Sequence, residues 1–334
     1  MDLTGRLVAL ACRVKRRGVI LNYHTLTARQ TQQQIELWGR HFEFIHHDEL
    51  AEKLARPGRK PFCLITFDDG KKSNLTESAP ELARRGVPAV FYIITKLAGG
   101  ELPMPWFDVY AQFAKCMGKY PKGLEPRVLK RLSQSERLER LAEAYRAHGF
   151  RANPDASEPA LSWDEVRRLH RMGHTIGAHS ETHAILTTVP LAEAQREIAR
   201  SIARVSEQLG APCASFAFPN GNHTEELARY ALGCGVRTVM TTDPTWLGRG
   251  EQAWRLPRVQ IHATQTPSRH QLKVFLAAFG CLLGNEDNTG RHYVRNRWSW
   301  LLRPAAPCGW PITDSTQPQQ RKARERAAME PAAE

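Results

Sequence analysis

Eight short apolar, β-prone segments recur along the chain: Gly18–His24, Phe42–Ile45, Phe62–Phe67, Pro88–Ile94, His174–His179, Cys213–Phe218, Val236–Thr241 and Arg255–His262. Helical patterns lie between most of them. Leu191–Leu209 is the clearest, with Ile198, Ile202, Val205 and Leu209 on one face, Pro190 ahead of it and Gly210 closing it. Strand and helix in alternation argue for βα units around a parallel sheet. Eight such units in roughly 250 residues predict an α/β protein of the (β/α) barrel type, with an open doubly wound sheet as the alternative.

One gap breaks the rhythm. Lys96 to Ala160 holds no good strand, whereas Trp106–Met117, Pro126–Leu132 and Ser135–His148 look helical. This predicts a helical insertion, residues 97–160, after the fourth strand and near the barrel mouth, where such loops shape substrate access. The expected organisation is a basic N-terminal segment (1–17), the barrel (18–290) and a basic C-terminal tail (291–334). From Thr313 the tail is polar and poor in aromatics, so it is expected to be disordered.

The 334 residues carry a net charge of +13. Residues 1–24 hold five Lys/Arg against one acid, and 291–334 hold eight against four, a net +4 at each end. Basic ends favour an anionic membrane surface or an acidic glycan, or simply keep the surface solvated. No zinc-finger spacing or basic recognition helix supports a nucleic-acid module. The seven cysteines are odd in number and lack CxxC spacing, so they read as buried apolar residues of a reducing compartment.

No segment is long and apolar enough to span a bilayer, and Leu7–Cys12 is too short for a signal-peptide core. Leu272–Leu283 is amphipathic at helical spacing. It is expected to face the core, with a membrane-surface helix as the alternative. The expected location is cytoplasmic or peripheral to a membrane.

The chemistry concentrates at strand ends. Leu64-Ile65-Thr66-Phe67 runs into Asp68-Asp69-Gly70, which alone reads first as an aspartate-capped turn. Thr175-Ile176-Gly177 runs into His179-Ser180-Glu181-Thr182-His183. There, two imidazoles four residues apart can reach one cation while leaving positions open for water and substrate. Ser215-Phe216-Ala217-Phe218 ends in Pro219-Asn220-Gly221, a turn whose N–H groups could hold an oxyanion. His24 ends the first segment, and Arg258 lies in the last. The bland reading explains each motif singly but not all five together.

These motifs resemble the polysaccharide deacetylase family with the NodB homology domain. The likeness rests on Thr66–Gly70, His179–His183, the Phe216–Gly221 stretch, Leu161–Glu165 and Leu256–Val259, and covers roughly residues 18–262. It implies a distorted (β/α) barrel and metal-dependent removal of acetyl groups from N-acetylated sugars. It gives Asp68 as general base, and Asp69, His179 and His183 as ligands of one divalent ion, most simply Zn²⁺. Ala217 stands where many members carry the arginine that orients the base, and Arg258 is the candidate replacement. Asn220 stands for a tyrosine whose backbone amide holds the oxyanion. Leu21-Asn22-Tyr23-His24 resembles the acid motif of a circularly permuted branch, which makes His24 the candidate general acid and His262 its competitor. Pro219 and Trp106 are candidate substrate contacts; Trp106 and Phe107 could stack on sugar rings or pack the insertion. The implied partner is an N-acetylated glycan, whether polymer, oligomer or lipid-linked. The alternatives are an O-acetyl esterase, another amidase, or a glycan-binding pseudoenzyme.

Overall fold

The computed structural model describes residues 3–15, 17–248 and 250–282. The expected tail 291–334 and the end of the barrel segment lie outside these residues. All eight apolar segments contain strands: β1 Val19–Tyr23, β2 Glu43–Phe44, β3 Phe62–Phe67, β4 Ala89–Ile93, β5 Thr175–Ala178, β6 Ser215–Ala217, β7 Thr238–Met240 and β8 Val259–Gln260. They form one parallel sheet in the order β7-β6-β5-β4-β3-β1-β8. The sheet curls until Met240 bridges Leu256 beside β8, which draws its two ends together. β2 stands off this path: it pairs with the first residues of β3, and β4 pairs with the last. The result is a distorted (β/α) barrel.

Alternation along the strands makes two cores, because successive side chains point to opposite faces. Ile20, Leu64, Val90, Tyr92, Ala217, Met240 and Leu256 fill the interior, with Leu50 and Leu54 packed among them. Val19, Leu21, Tyr23, Cys63, Ile65, Phe67 and Phe91 face outward to the helices. Gly177 is fixed by this packing: a Cβ there would lie 2.5 Å from the Tyr92 ring.

The helices are α1 Leu3–Lys15, α2 Ala28–Gly39, α3 Leu50–Ala55, α4 Ala79–Arg84, α5 Thr95–Ala98, α6 Trp106–Cys116, α7 Pro126–Leu129, α8 Gln134–Ala147, α9 Trp163–Arg171, α10 Leu191–Leu209, α11 Glu225–Gly233 and α12 Pro267–Ala278. Helices α6, α7 and α8 fall where the insertion was expected. They bury a small core of their own, built on Tyr110, Phe113, Leu124, Leu129 and Leu141. The basic N-terminal segment forms helix α1, and Val8, Ala11 and Cys12 join the outer core, so it packs on the barrel wall. Among the described residues, no helix is long and apolar enough to cross a membrane. Of the cysteines, Cys12, Cys63 and Cys213 are buried, whereas Cys116 and Cys281 are exposed.

His174, at the entry to β5, lies 5.2 Å from Phe91 edge-on, and neither ring nitrogen has a hydrogen-bond partner among the described residues. Burial, with His46 nearby, pushes its imidazole from 6.5 down to about 4. The unfolded chain therefore takes up this proton first as pH falls, and stability is lost between about 6.5 and about 4. His174→Leu should flatten that limb. In urea unfolding, the variant should gain on the order of 2–3 kcal/mol relative to the native chain between pH 7 and pH 4. A difference that does not change with pH would refute this assignment.

Candidate active site

The C-terminal ends of the parallel strands converge at one mouth, and strand parity decides what enters it. On β1 and β3 the inward positions run Ile20, Asn22 and Leu64, Thr66, so Asn22 and Asp68 continue the inward row. Beyond the strand ends the backbone turns sharply. Asp69, Ser180, His183 and Asn220 are the non-glycine residues with positive φ among the described residues, at 71°, 60°, 60° and 57°. All four follow strands β3, β5 or β6. Such left-handed residues cost on the order of 1 kcal/mol or more each and persist only where the surroundings fix them.

Asp68 is held by three hydrogen bonds from two side chains. Arg258 Nη1 donates to its Oδ1 at 2.7 Å and Nη2 to its Oδ2 at 3.0 Å, a bidentate pair with the arginine fully buried. Asn22 Nδ2 donates to Oδ2 at 2.9 Å. Arg258 also donates from Nε to the Thr241 carbonyl (3.0 Å) and from Nη1 to Thr66 Oγ1 (3.3 Å). Burial is the largest single influence and opposes ionisation of Asp68, but the charge and hydrogen bonds of Arg258, together with nearby His179 and His24, outweigh it and hold the carboxyl well below the usual carboxylate range.

Asp69, His179 and His183 offer donor atoms that all lie within 4.8 Å of one another, and all three residues are buried. Asp69 Oδ1 is 3.4 Å from His183 Nε2 and 3.6 Å from His179 Nε2. It is buried and makes no hydrogen bond among the described residues. Two donors about 2.1 Å from a tetrahedral ion stand about 3.4 Å apart, so these separations fit a small divalent cation. The tautomer fits as well. His179 Nδ1 lies 2.8 Å from the Ala217 carbonyl, which can only accept, so the proton sits there and Nε2 presents its lone pair. Burial pushes His183 down to about 3, which keeps its ring neutral. Glu197 on α10 accepts from the N–H groups of Glu181 and Thr182 at 2.8 and 3.0 Å and braces the loop between the histidines.

The rim carries the other expected residues. His24 is half-buried at the end of β1, and its charge is felt at both Asp68 and Asp69. Asn74, in a π-helical turn, donates to the His24 carbonyl at 2.8 Å and fixes that strand end. The competing His262 is exposed. Pro219 is buried and leads into Asn220, whose Oδ1 accepts from Lys130 of the insertion at 2.6 Å.

The insertion reaches the Asp69–His179–His183 cluster through Phe107, whose ring packs edge-on against His183 at 4.6 Å. A half-buried ion pair, Lys71 Nζ to Asp108 Oδ2 at 2.5 Å, ties α6 to the residue after Gly70. Trp106 packs with the insertion core, and the Arg137 guanidinium lies over its ring at 4.7 Å. Of the two adjacent aromatics, Phe107 is thus the one against a site residue. The sequence reading missed Asn22, Asn74, Lys71, Asp108 and Glu197. Asn22 was within reach, since it sits two residues before His24 on the inward parity. The others depend on tertiary contacts that carry no local pattern.

A family model described as polysaccharide deacetylase matches residues 55–239, more than half of the chain. Several solved structures share the fold. The Streptococcus pyogenes deacetylase PplD, solved with acetate, is 15% identical with a TM-score of 0.54, over 77% of this chain and 97% of that one. IcaB from Ammonifex degensii is 19% identical with a TM-score of 0.52, over 79% and 97%. A de-N-acetylase from Aggregatibacter actinomycetemcomitans is 13% identical with a TM-score of 0.51, over 77% and 99%. No curated protein matches the chain by sequence. The matched stretch contains both the Asp68–Asp69 and the His179–His183 motifs, and on that match the chain belongs to the polysaccharide deacetylase family.

Proposed function

We propose that this protein removes the N-acetyl group from an N-acetylated amino sugar of a glycan, releasing acetate and leaving a free amine. One observation carries the reading. A buried carboxylate and two imidazoles of metal-ligand spacing share a strand-end mouth with a second carboxylate clamped by arginine. Asp69, His179 and His183 would hold one divalent cation, and two imidazoles with one carboxylate suit Zn²⁺. When bound, such an ion supplies an acidified water and polarises the acetyl carbonyl.

The chain's own residues then divide the proton work. A carboxylate has about four lone-pair sites. Arg258 and Asn22 occupy three of those on Asp68, which leaves one on Oδ1. The carboxylate, whose Oδ2 lies 4.0 Å from His179 Nε2, accepts the proton of the attacking water, and the bidentate clamp keeps it oriented as it does so. The backbone N–H of Asn220, set by its left-handed turn after Pro219, serves the developing oxyanion. The amine cannot leave as an anion, so the imidazolium of His24 donates to its nitrogen. This role suits the place of β1, which pairs with β3 on one side and β8 on the other.

Acetate release from a panel of N-acetylated polymers, oligomers and glycolipids, with added Zn²⁺, tests the reading. Asp68→Asn should lower kcat by about 10²–10⁴ while keeping metal affinity. Equal turnover in that variant removes Asp68 as base. His24→Gln should lower amide turnover by about 10² or more but spare an activated acetyl ester, whose alkoxide leaves more readily. Equal losses on both would argue for a structural role of His24. Esters turned over without amides would point to an O-acetyl esterase, and binding with no turnover to a pseudoenzyme. Zn²⁺ at 100 times its Kd should raise unfolding stability by about 2.7 kcal/mol in the native chain. It should do so far less in Asp69→Asn, and an equal rise in both would place the ion elsewhere.

A further inference from the structure

Helices α1 and α12 lie side by side on the barrel wall. Thr4 Oγ1 donates to Gln271 Oε1 at 2.8 Å near one end, and Lys15 Nζ sits 5.0 Å from the Phe279 ring near the other. Their inner faces join the core through Val8, Ala11, Val274 and Ala277. Their outer faces are apolar too. Leu3, Leu10 and Val14 form one stripe on α1 and are 74%, 50% and 60% exposed, and Leu272 and Phe279 continue it on and just beyond α12. These five are most of the eight large apolar side chains that stand exposed among the described residues.

Charge accompanies the stripe. Over their described lengths, α1 and α12 hold Arg6, Arg13, Lys15, Arg269 and Lys273 and not one Asp or Glu. On α1, Arg6 and Arg13 are exposed and flank Leu3, Leu10 and Val14 at helical spacing. Arg13 also lines a groove of about 400 Å³ with Cys12, Arg59, Lys60 and Pro61, again without an acid. Leucine, valine and phenylalanine edged by arginine and lysine are the composition of a helix that lies in a membrane interface. A second copy of the chain would set cation against cation across such a face. An anionic lipid surface satisfies both components together.

We propose that the α1–α12 face docks the protein on an anionic bilayer, with the apolar stripe entering the headgroup boundary and the arginines engaging lipid phosphates. Neither helix carries a residue of the candidate active site, so the inference stands apart from the catalytic reading and can fail without it.

The test is co-flotation of the full chain with vesicles of phosphatidylcholine alone or with 30% phosphatidylglycerol, at low and high salt. The native chain should bind the anionic vesicles, and high salt should weaken the binding. Leu10→Ser/Val14→Ser should bind at least tenfold more weakly. Arg6→Gln/Arg13→Gln should lose about fivefold per charge and most of the salt dependence. All four side chains are exposed, so melting temperature and acetate release should be unchanged and serve as the folding control. No flotation of the native chain overturns the proposal. So does binding that ignores Leu10→Ser/Val14→Ser and that soluble dextran sulfate competes away, which would make the face a general polyanion site. A concentration-dependent dimer abolished by the same leucine and valine variant, with no vesicle binding, would assign the face to a second copy instead.

Discussion

Arg258 and Asp68 form the contact on which the mouth of the barrel depends. The arginine lies just before β8 and the aspartate just after β3, with β1 between them. Through Thr241 the same guanidinium reaches the end of β7, and through Asn22 the same carboxylate reaches β1. One buried pair therefore links four strands where only short ladders close the ring. Removing one partner of such a pair typically costs about 3–5 kcal/mol, because the other charge is left buried. Bidentate geometry matters as much as charge here, since a lysine could not hold both carboxylate oxygens at once.

This arrangement lets adjacent aspartates do different work. Strand parity sends Asp68 inward to the arginine. The left-handed turn at Asp69 then carries its carboxylate across to the histidines. The same device recurs at Ser180, His183 and Asn220. The strain is local and the bracing is not. Glu197 comes from α10, Asn74 from the turn before α4, and Asp108, which pairs with Lys71 beside the Asp-Asp turn, from α6. A site built on strained turns needs such outside support to stay in one conformation.

Much of the fold was legible because its signals are local. Every apolar run of strand length became a strand, and the three helical patterns of the insertion became α6, α7 and α8. The α1 helix was not legible. Its sequence reads as a basic end, and only packing of Val8, Ala11 and Cys12 against the barrel shows the buried face. Among site residues, motif and strand-end position singled out the Asp-Asp pair and the two histidines, the family resemblance separated Asp69 from Asp68, and the fold brings Asp69, His179 and His183 together. The pairing of Arg258 with Asp68, 190 positions apart, was reachable only through the family resemblance. Phe107 and Glu197 act through contacts that no spacing rule encodes.

The anchoring of the insertion bears on how specificity can change in this fold. The segment leaves after β4 and returns through Pro159–Leu161 beside the aspartates: Lys72 N–H donates to the Pro159 carbonyl and Leu161 N–H to the Gly70 carbonyl, with Ala160 facing Lys71 between them. Phe107 meets a histidine of the cation site at the other end of the same segment. The insertion is thus not an exchangeable cassette. Replacing the insertion would disturb His183 and the Asp-Asp turn together, so on the proposed function a change of substrate range here would carry a change of cation affinity with it.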